Sequence, residues 1–457
     1  MAGLSKDSFT VTTGRQRPRG ARRFFANLGP GLITGAADDD PSGISTYSVA
    51  GAVFGYSFLW TALISFPLMA AVQLMCARLG MVTGRGLGCA IRLRYSRFVL
   101  WPACLLLIVA NVFNIGADLG GMADAMRMVT GIPSYYWTPF FATLIGCLLI
   151  WTSYNFIARV FKWLTLVLFA YVITAFLARP DWSAVLRGTL LPHMAWTQSY
   201  MAVLVGILGT TISPYLFFWQ ASQEVEEDRE RGKVTVAQRR GSTNLELSTA
   251  RDDVLTGMFF SNLVMFFIIL TTSATLHTHG IQNIETAKQA AEALRPLAGQ
   301  GAYWLFTLGL VGTGMLGVPV LAGSCAYAIS EAASWRGISL SKPPRRAAPF
   351  YLVIAAAMLI GLSLDFAGLN AEDALLVGNR EWCASATPGY PGRAADERQK
   401  GNGNAHQLAG SQGAGVDLRS RNDRGGRGTF HYLDAPTHVD YLWRSGRGIS
   451  PLVATST

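Results

Sequence analysis

The chain is 457 residues long, 51% hydrophobic and only 14% charged, with a formal net charge of +10. A soluble domain carries about 25% charged residues, so this deficit argues against a water-soluble globular protein. The surplus of Lys and Arg does not point to nucleic acid either. It lies in loops between apolar runs and in the tail, with no RNA- or DNA-binding module around it.

Residues 1–24 read as a basic tail, MAGLSKDSFTVTTGRQRPRGARR and the residue after it, without the apolar core and cleavage site of a signal peptide. A helix needs about 20 mostly apolar residues to cross the hydrocarbon core. Nine stretches qualify: 28–54, 57–80, 98–128, 137–158, 160–178, 198–222, 254–277, 302–332 and 349–366. The loops after the even-numbered spans (GRGLGCAIRLRYSR, ARVFK, EVEEDRERGKVTVAQRR, WRGISLSKPPRR) are rich in Lys and Arg, and those after the odd-numbered spans are poor in them. Orientation follows that bias. The expectation is an all-α polytopic protein of the plasma or inner membrane, with its N-terminus cytoplasmic. The six cysteines form no CxxC pair and read as core thiols.

The first span carries Asp38, Asp39 and Asp40, followed at once by Pro41, Ser42 and Gly43. Proline removes a backbone donor and clashes with the preceding turn, so the helix breaks there. The sixth span breaks in the same way at Ser213-Pro214-Tyr215. Paired breaks at corresponding places in two halves point to the midplane site of an inverted-repeat transporter. An aspartate at mid-membrane costs roughly 2.5–3.5 kcal/mol on insertion scales and therefore faces a cavity or a partner. No Lys or Arg in that span neutralises it, which suits a divalent cation that brings its own charge. An i, i+2 spacing turns Asp38 away from Asp40, so only part of the triplet can share one ion. The alternative is that both prolines merely kink packed helices, with the acids at a water boundary.

These two motifs resemble the NRAMP family of divalent metal transporters, and within it the NRAMP-related, magnesium/manganese-type branch. GPGLITGAADDDPSG is similar to the family's first-span signature and GTTISPYLFFWQASQEVEED to its sixth-span region, in a likeness running from about Gly29 to Asn370. The resemblance implies a leucine-transporter-like inverted repeat of five plus five helices, here 25–190 and 195–370, the second with four helices evident and the tenth lost. It implies a secondary transporter rather than an enzyme, no cofactor, and a divalent metal ion as substrate, with the lipid bilayer as the other partner and no nucleic acid. The implied ion site uses Asp40, Gly43, Ser213, Tyr215 and carbonyls at Ala37 and Thr210, with helix breaks at Pro41 and Pro214 and secondary candidates Asp39 and Asp118.

The departures from the family pattern carry information of their own. Where NRAMP proteins usually read Asp-Pro-Gly-Asn, Ser42 and Gly43 take the last two places. Where they read Met-Pro-His, Ser213 and Tyr215 flank the proline. Loss of the thioether removes the soft ligand that favours transition metals, leaving hard oxygen donors suited to Mg²⁺ and Mn²⁺, with Fe²⁺ less so. The third-span Asp-Leu-Ala-Glu becomes Asp118-Leu119-Gly120-Gly121. With that glutamate and the sixth-span histidine both absent, weak or no proton coupling is expected, Asp118 and Asp124 being the titratable residues left nearby.

The remaining polar features read more plainly. Glu224, Glu226, Glu227 and Asp228 look like a solvated loop, His277 and His279 like interfacial residues, and Asn111 and Asn114 like interhelical hydrogen-bonding groups. Residues 371–457 turn abruptly Gly- and Arg-rich and lack apolar periodicity, as a disordered tail does. Gly378 to Cys383 read one base later give Ala-Thr-Val-Asn-Gly with suitable codons, so a change of reading frame near 371–378 accounts for the missing tenth span and allows an inactive truncated product. Two rival functions compete with this reading. A transporter of the same fold for a small organic substrate is disfavoured because acids would repel a substrate carboxylate. An intramembrane aspartyl hydrolase needs a second carboxylate opposite the first, and its Gly-x-Gly-Asp signature is absent.

Overall fold

The computed structural model describes residues 30–151, 166–233, 235–281, 290–291, 293–294, 299–335 and 339–368. The basic tail 1–24, the whole of 371–457 with the expected change of reading frame and Cys383, and the ends of the fourth and fifth expected spans lie outside the described residues. Among the described residues there is no strand, and seven helices are long and apolar enough to cross a membrane.

The helices run in chain order: α1 (Pro30–Asp38), α2 (Pro41–Phe54), α3 (Trp60–Thr83), α4 (Leu87–Arg94), α5 (Arg97–Thr130), α6 (Ser134–Trp151), α7 (Phe169–Leu177), α8 (Trp182–Leu190), α9 (Gln198–Thr211), α10 (Pro214–Glu230), α11 (Val236–Arg239), α12 (Asn244–Thr275), α13 (Ala302–Ala332) and α14 (Ala348–Phe366). The first expected span is the pair α1 and α2, each too short to cross alone. The sixth is the pair α9 and α10. Glycine in the left-handed region ends α3 at Gly84 (φ 64°) and α5 at Gly131 (φ 74°), a conformation that costs glycine no steric clash.

The core centres on α13, whose apolar window is 83% buried against 28% for α6 and α14. It packs most extensively on α5, and Asn111 of α5 donates to the Leu321 carbonyl of α13 across 3.1 Å. Small residues let backbones touch where side chains would hold them apart. A Cβ on Gly35 of α1 would collide with the Gly257 carbonyl of α12, and one on Gly257 would collide with the Gly31 carbonyl. Outward faces of α5, α6 and α14 carry large apolar side chains such as Leu106, Phe140 and Leu352. Such a surface is stable against lipid, not water.

Two expectations need correction. Helix α10 continues to Glu230, eight residues past the apolar stretch, so the acid run 224–228 is helical rather than a loop. Glu224, Glu226 and Asp228 are buried. The cause is local pairing, which stabilises a helix at i,i+3 and i,i+4 spacings: Arg229 meets Glu226 at 2.5 Å and Arg231 meets Glu227 at 2.8 Å, while Lys233, beyond the helix end, folds back to Asp228 at 2.8 Å. Hydrogen bonding to Asp228 holds the Lys233 ammonium above its ordinary range. Helix α12 likewise starts ten residues before its apolar stretch, where Thr243 and Glu246 form a reciprocal capping box. His277 and His279 are each held by a backbone carbonyl, at Ala52 and Thr275. The five described cysteines are free thiols.

Candidate metal site

Each helix break frees one carbonyl, and the sequence says which. In a continuous helix the N–H of residue 41 would bond the carbonyl of residue 37, but Pro41 has no N–H. The Ala37 carbonyl instead accepts from the Tyr215 hydroxyl at 3.1 Å. Pro214 by the same rule frees the Thr210 carbonyl, which accepts from the Ser213 hydroxyl at 2.7 Å. Thus Ala37 and Thr210 are the two carbonyls that the prolines strip of helical partners.

Asp40 stands at the N-cap of α2, where its side chain meets the unsatisfied donors of the first turn. Its Oδ1 accepts from the Gly43 N–H at 2.7 Å and the Ser42 hydroxyl at 2.8 Å. Its Oδ2 accepts from the Tyr215 hydroxyl at 3.3 Å. Tyr215, the second residue of α10, therefore bridges a carboxylate and a carbonyl belonging to the other break. Its hydroxyl hydrogen occupies the electropositive role that a cation would take between the same two oxygens. Asp40 is buried and, among the described residues, pairs with no Lys or Arg.

Gly43 closes the gap between the breaks. A Cβ there would sit 3.2 Å from both Asp40 Oδ1 and the Thr210 hydroxyl oxygen, closer than ordinary van der Waals contact, so the asparagine of the usual pattern would have to push these neighbours aside. Helix α13 forms the opposite wall: a Cβ on Gly317 would lie 3.2 Å from the Asp40 Cβ and 3.6 Å from the Ala37 carbonyl oxygen. Asp118 of α5 accepts from the Ser42 N–H at 3.1 Å, pinning the first turn of α2. Gly121 faces Pro41, its virtual Cβ 3.3 Å from the proline ring. A glutamate at that position would have to grow out of a contact already closed.

The structure thus brings together Asp40, the Ala37 carbonyl, Gly43, Thr210 and Tyr215. It turns the Ser213 hydroxyl back onto Gly209 and Thr210, leaving its lone pairs for any other partner. It sends Asp38 away from Asp40, to accept from Ser261 of α12 at 2.5 Å. Asp39 is buried with its Oδ1 lacking a hydrogen bond, and Asp124 is exposed. Among the described residues no three His, Cys, Asp or Glu side chains converge. The donor set here is one carboxylate plus neutral oxygens.

Three supporting residues escaped the sequence reading. Ser42 was visible only as a substituted glycine, yet its hydroxyl holds Asp40. Asp253, at the start of the apolar part of α12, accepts from the Gly31 and Leu32 N–H groups and caps α1. Gln220 meets the Thr34 hydroxyl at 2.8 Å, tying α10 to α1. The partners of Gln220 and Asp253 lie 186 to 222 residues away, so no local pattern could have revealed these two.

Residues 31–378 match the sequence model of Nramp, natural resistance-associated macrophage protein-like. The chain belongs to the Nramp family. Its Nramp relatives include the divalent metal cation transporter MntH of Deinococcus radiodurans, 29% identical over 313 residues that cover 66% of this chain and 68% of the relative. The MntH of Mesorhizobium japonicum is 29% identical over 307 residues, covering 64% of each chain. The match therefore spans about two thirds of these relatives' length. In three dimensions the chain shares the fold of the Eremococcus coleocola manganese transporter, with a TM-score of 0.59 at 21% identity, covering 78% of this chain and 76% of that one. The leucine-transporter-like helical architecture implied by the resemblance is the fold this Nramp chain has. The fate of the tenth helix falls outside the described residues.

Proposed function

We propose that this protein carries divalent metal cations across a membrane, binding them between the two helix breaks. The observation that carries this reading is the Tyr215 bridge: the Asp40 carboxylate and the Ala37 carbonyl face a single point that a hydroxyl hydrogen now fills. Membership of the Nramp family and the names of its relatives support the substrate class. The chain is a secondary transporter, not an enzyme, and the metal ion is its cargo.

Within that class the donors are hard. One carboxylate, hydroxyls and backbone carbonyls, with no thioether, suit Mg²⁺ and Mn²⁺ better than softer ions. Gly43 brings no side-chain donor of its own, and Mg²⁺, which dehydrates reluctantly, keeps water in place of one. Movement is uncoupled or weakly coupled to protons, because Gly121 and Tyr215 stand where titratable groups would otherwise be. The N-terminus lies on the cytoplasmic side, as the Lys/Arg bias of the loops requires.

The test is uptake into vesicles containing the purified full chain. Mg²⁺ and Mn²⁺ should enter, Asp40→Ala should abolish entry, and the interior pH should not track it. Strong preference for Fe²⁺ or Cd²⁺ over both ions would overturn the hard-site reading. Proton influx in step with metal would overturn the uncoupled one.

A further inference from the structure

Helix α10 presents two faces. One, with Tyr215 and Gln220, turns to α1 and the metal site. The other, with Ser222, Glu226 and Arg229, lines a cavity of about 800 Å³ at the arginine-rich end of the bundle. Its remaining walls are the α3–α4 corner, α11 and the end of α13, and no residue of α1 or α2 lines it. It is separate from the ion site and within the size range of pockets that hold small molecules, about 300–1,000 Å³.

Five cationic side chains and three carboxylates line this cavity. The carboxylates are engaged. Glu226 binds Arg229 with one oxygen and the Ser341 hydroxyl with the other. Glu331 accepts from the Cys89 N–H at 3.2 Å and the Ser222 hydroxyl at 3.0 Å, stapling α4, α10 and α13 together. Glu230 has a partner of its own.

Two arginines do not share in this pairing. Arg85 and Arg92 both reach the Cys89 sulfur, at 3.9 and 3.7 Å, so their guanidinium groups converge on one atom. Among the described residues neither has a carboxylate within 4 Å. The Arg92 Nε is buried and lacks any acceptor. Burial and the nearby Arg229 guanidinium lower the pKa of Arg239 on the same wall. Arg85 and Arg92, two like charges without a carboxylate in reach and with a buried donor unmet, describe a site missing an anion.

We propose that this cavity binds a phosphate-bearing anion through Arg85 and Arg92. Planar guanidinium groups match phosphate oxygens in bidentate geometry, and the surplus of two positive charges over the lining carboxylates suits a ligand with two phosphate charges. The Ser334 hydroxyl and the half-buried Trp335 add a neutral donor and an aromatic surface. The phosphate can arrive from either of two sources. A nucleotide would enter from water. The headgroup of a dianionic lipid would enter from the membrane edge, where the exposed Leu93, Tyr95 and Phe98 follow Arg92 in the chain.

The experiment uses the full chain in phosphatidylcholine nanodiscs. One arm adds ATP, and the other replaces a tenth of the lipid with cardiolipin. Saturable binding and a raised melting temperature are expected in one arm, which identifies the source, and Arg85→Gln with Arg92→Gln should weaken that binding at least tenfold. Arg94→Gln, on an exposed position of the same helix outside the cavity, should leave it within twofold. Lys342→Gln, on an exposed loop at the cavity rim, should weaken it two- to fivefold and serves if the double variant does not fold. Absence of saturable binding in both arms would overturn the proposal. So would unchanged binding in the arginine and lysine variants, or an equal loss with Arg94→Gln.

Discussion

The two helix breaks use the same proline and solve its consequence differently. At the second break the carbonyl freed by Pro214 is satisfied by its own neighbour, Ser213. At the first, the carbonyl freed by Pro41 is satisfied from across the molecule, by Tyr215. The first break also carries the charge, Asp40, and the second carries none. One break is therefore self-contained and neutral, and the other is charged and depends on its partner helix. At the proposed site a cation would compete with a hydrogen bond that joins the two halves, which would couple binding to the relative position of α1, α2 and α10.

The sharpest way to break this asymmetry is to remove the charge. Asp40→Ala leaves a bound divalent ion without its carboxylate, and an uncompensated buried charge costs about 3–5 kcal/mol. Uptake of Mg²⁺ and Mn²⁺ should fall by more than about 100-fold, since about 1.4 kcal/mol is a factor of ten. The variant should still insert, with loss of the α2 cap costing only about 1 kcal/mol, checked by size-exclusion profile and melting temperature. Retained uptake would show that the ion is bound elsewhere.

Tyr215→Phe cuts the link while keeping both breaks. Leaving buried acceptors unmet costs about 1–3 kcal/mol, so the metal-free protein should melt earlier. Mg²⁺ affinity measured by calorimetry should fall about tenfold through loss of one neutral oxygen, worth about 1.4 kcal/mol. Affinity that rises instead would mean that the hydroxyl only holds the place of the ion and never ligates it. Ser213→Met then tests the neutral break. A thioether is a softer donor, so the Mg²⁺ to Mn²⁺ uptake ratio should drop by about tenfold. Overpacking at this buried position costs about 1–3 kcal/mol of stability.

What was legible in the sequence follows from this same contrast. Prolines at 41 and 214 and apolar runs of membrane length are local signals, and the breaks, the spans and the freed carbonyls at Ala37 and Thr210 could be read from them. Long-range partners were not legible. Nothing around Tyr215 says that its hydroxyl reaches Asp40 rather than solvent, and nothing around Asp253 says that it caps a helix at Gly31. The acid run 224–228 misled for a physical reason. Its charges suggested water, but Glu226 and Glu227 meet Arg229 and Arg231 at helical spacing, and so prolong α10 instead of ending it.

The smallest effect should come from the acid that looks most like Asp40 on paper. Asp38 lies two residues earlier in an unbroken run of aspartates, yet it ends α1 on the side facing α12, where Ser261 donates to it. Asparagine keeps an oxygen for that hydroxyl and removes a buried charge, which costs free energy to desolvate. Asp38→Asn should therefore change Mg²⁺ uptake by less than threefold, because the residue shares no donor with Asp40, and the melting temperature should hold or rise. A loss as deep as that of Asp40→Ala would mean that the triplet acts as one unit. The distinction between a charged break and a neutral one would then give way to a wider acidic chamber extending toward α12.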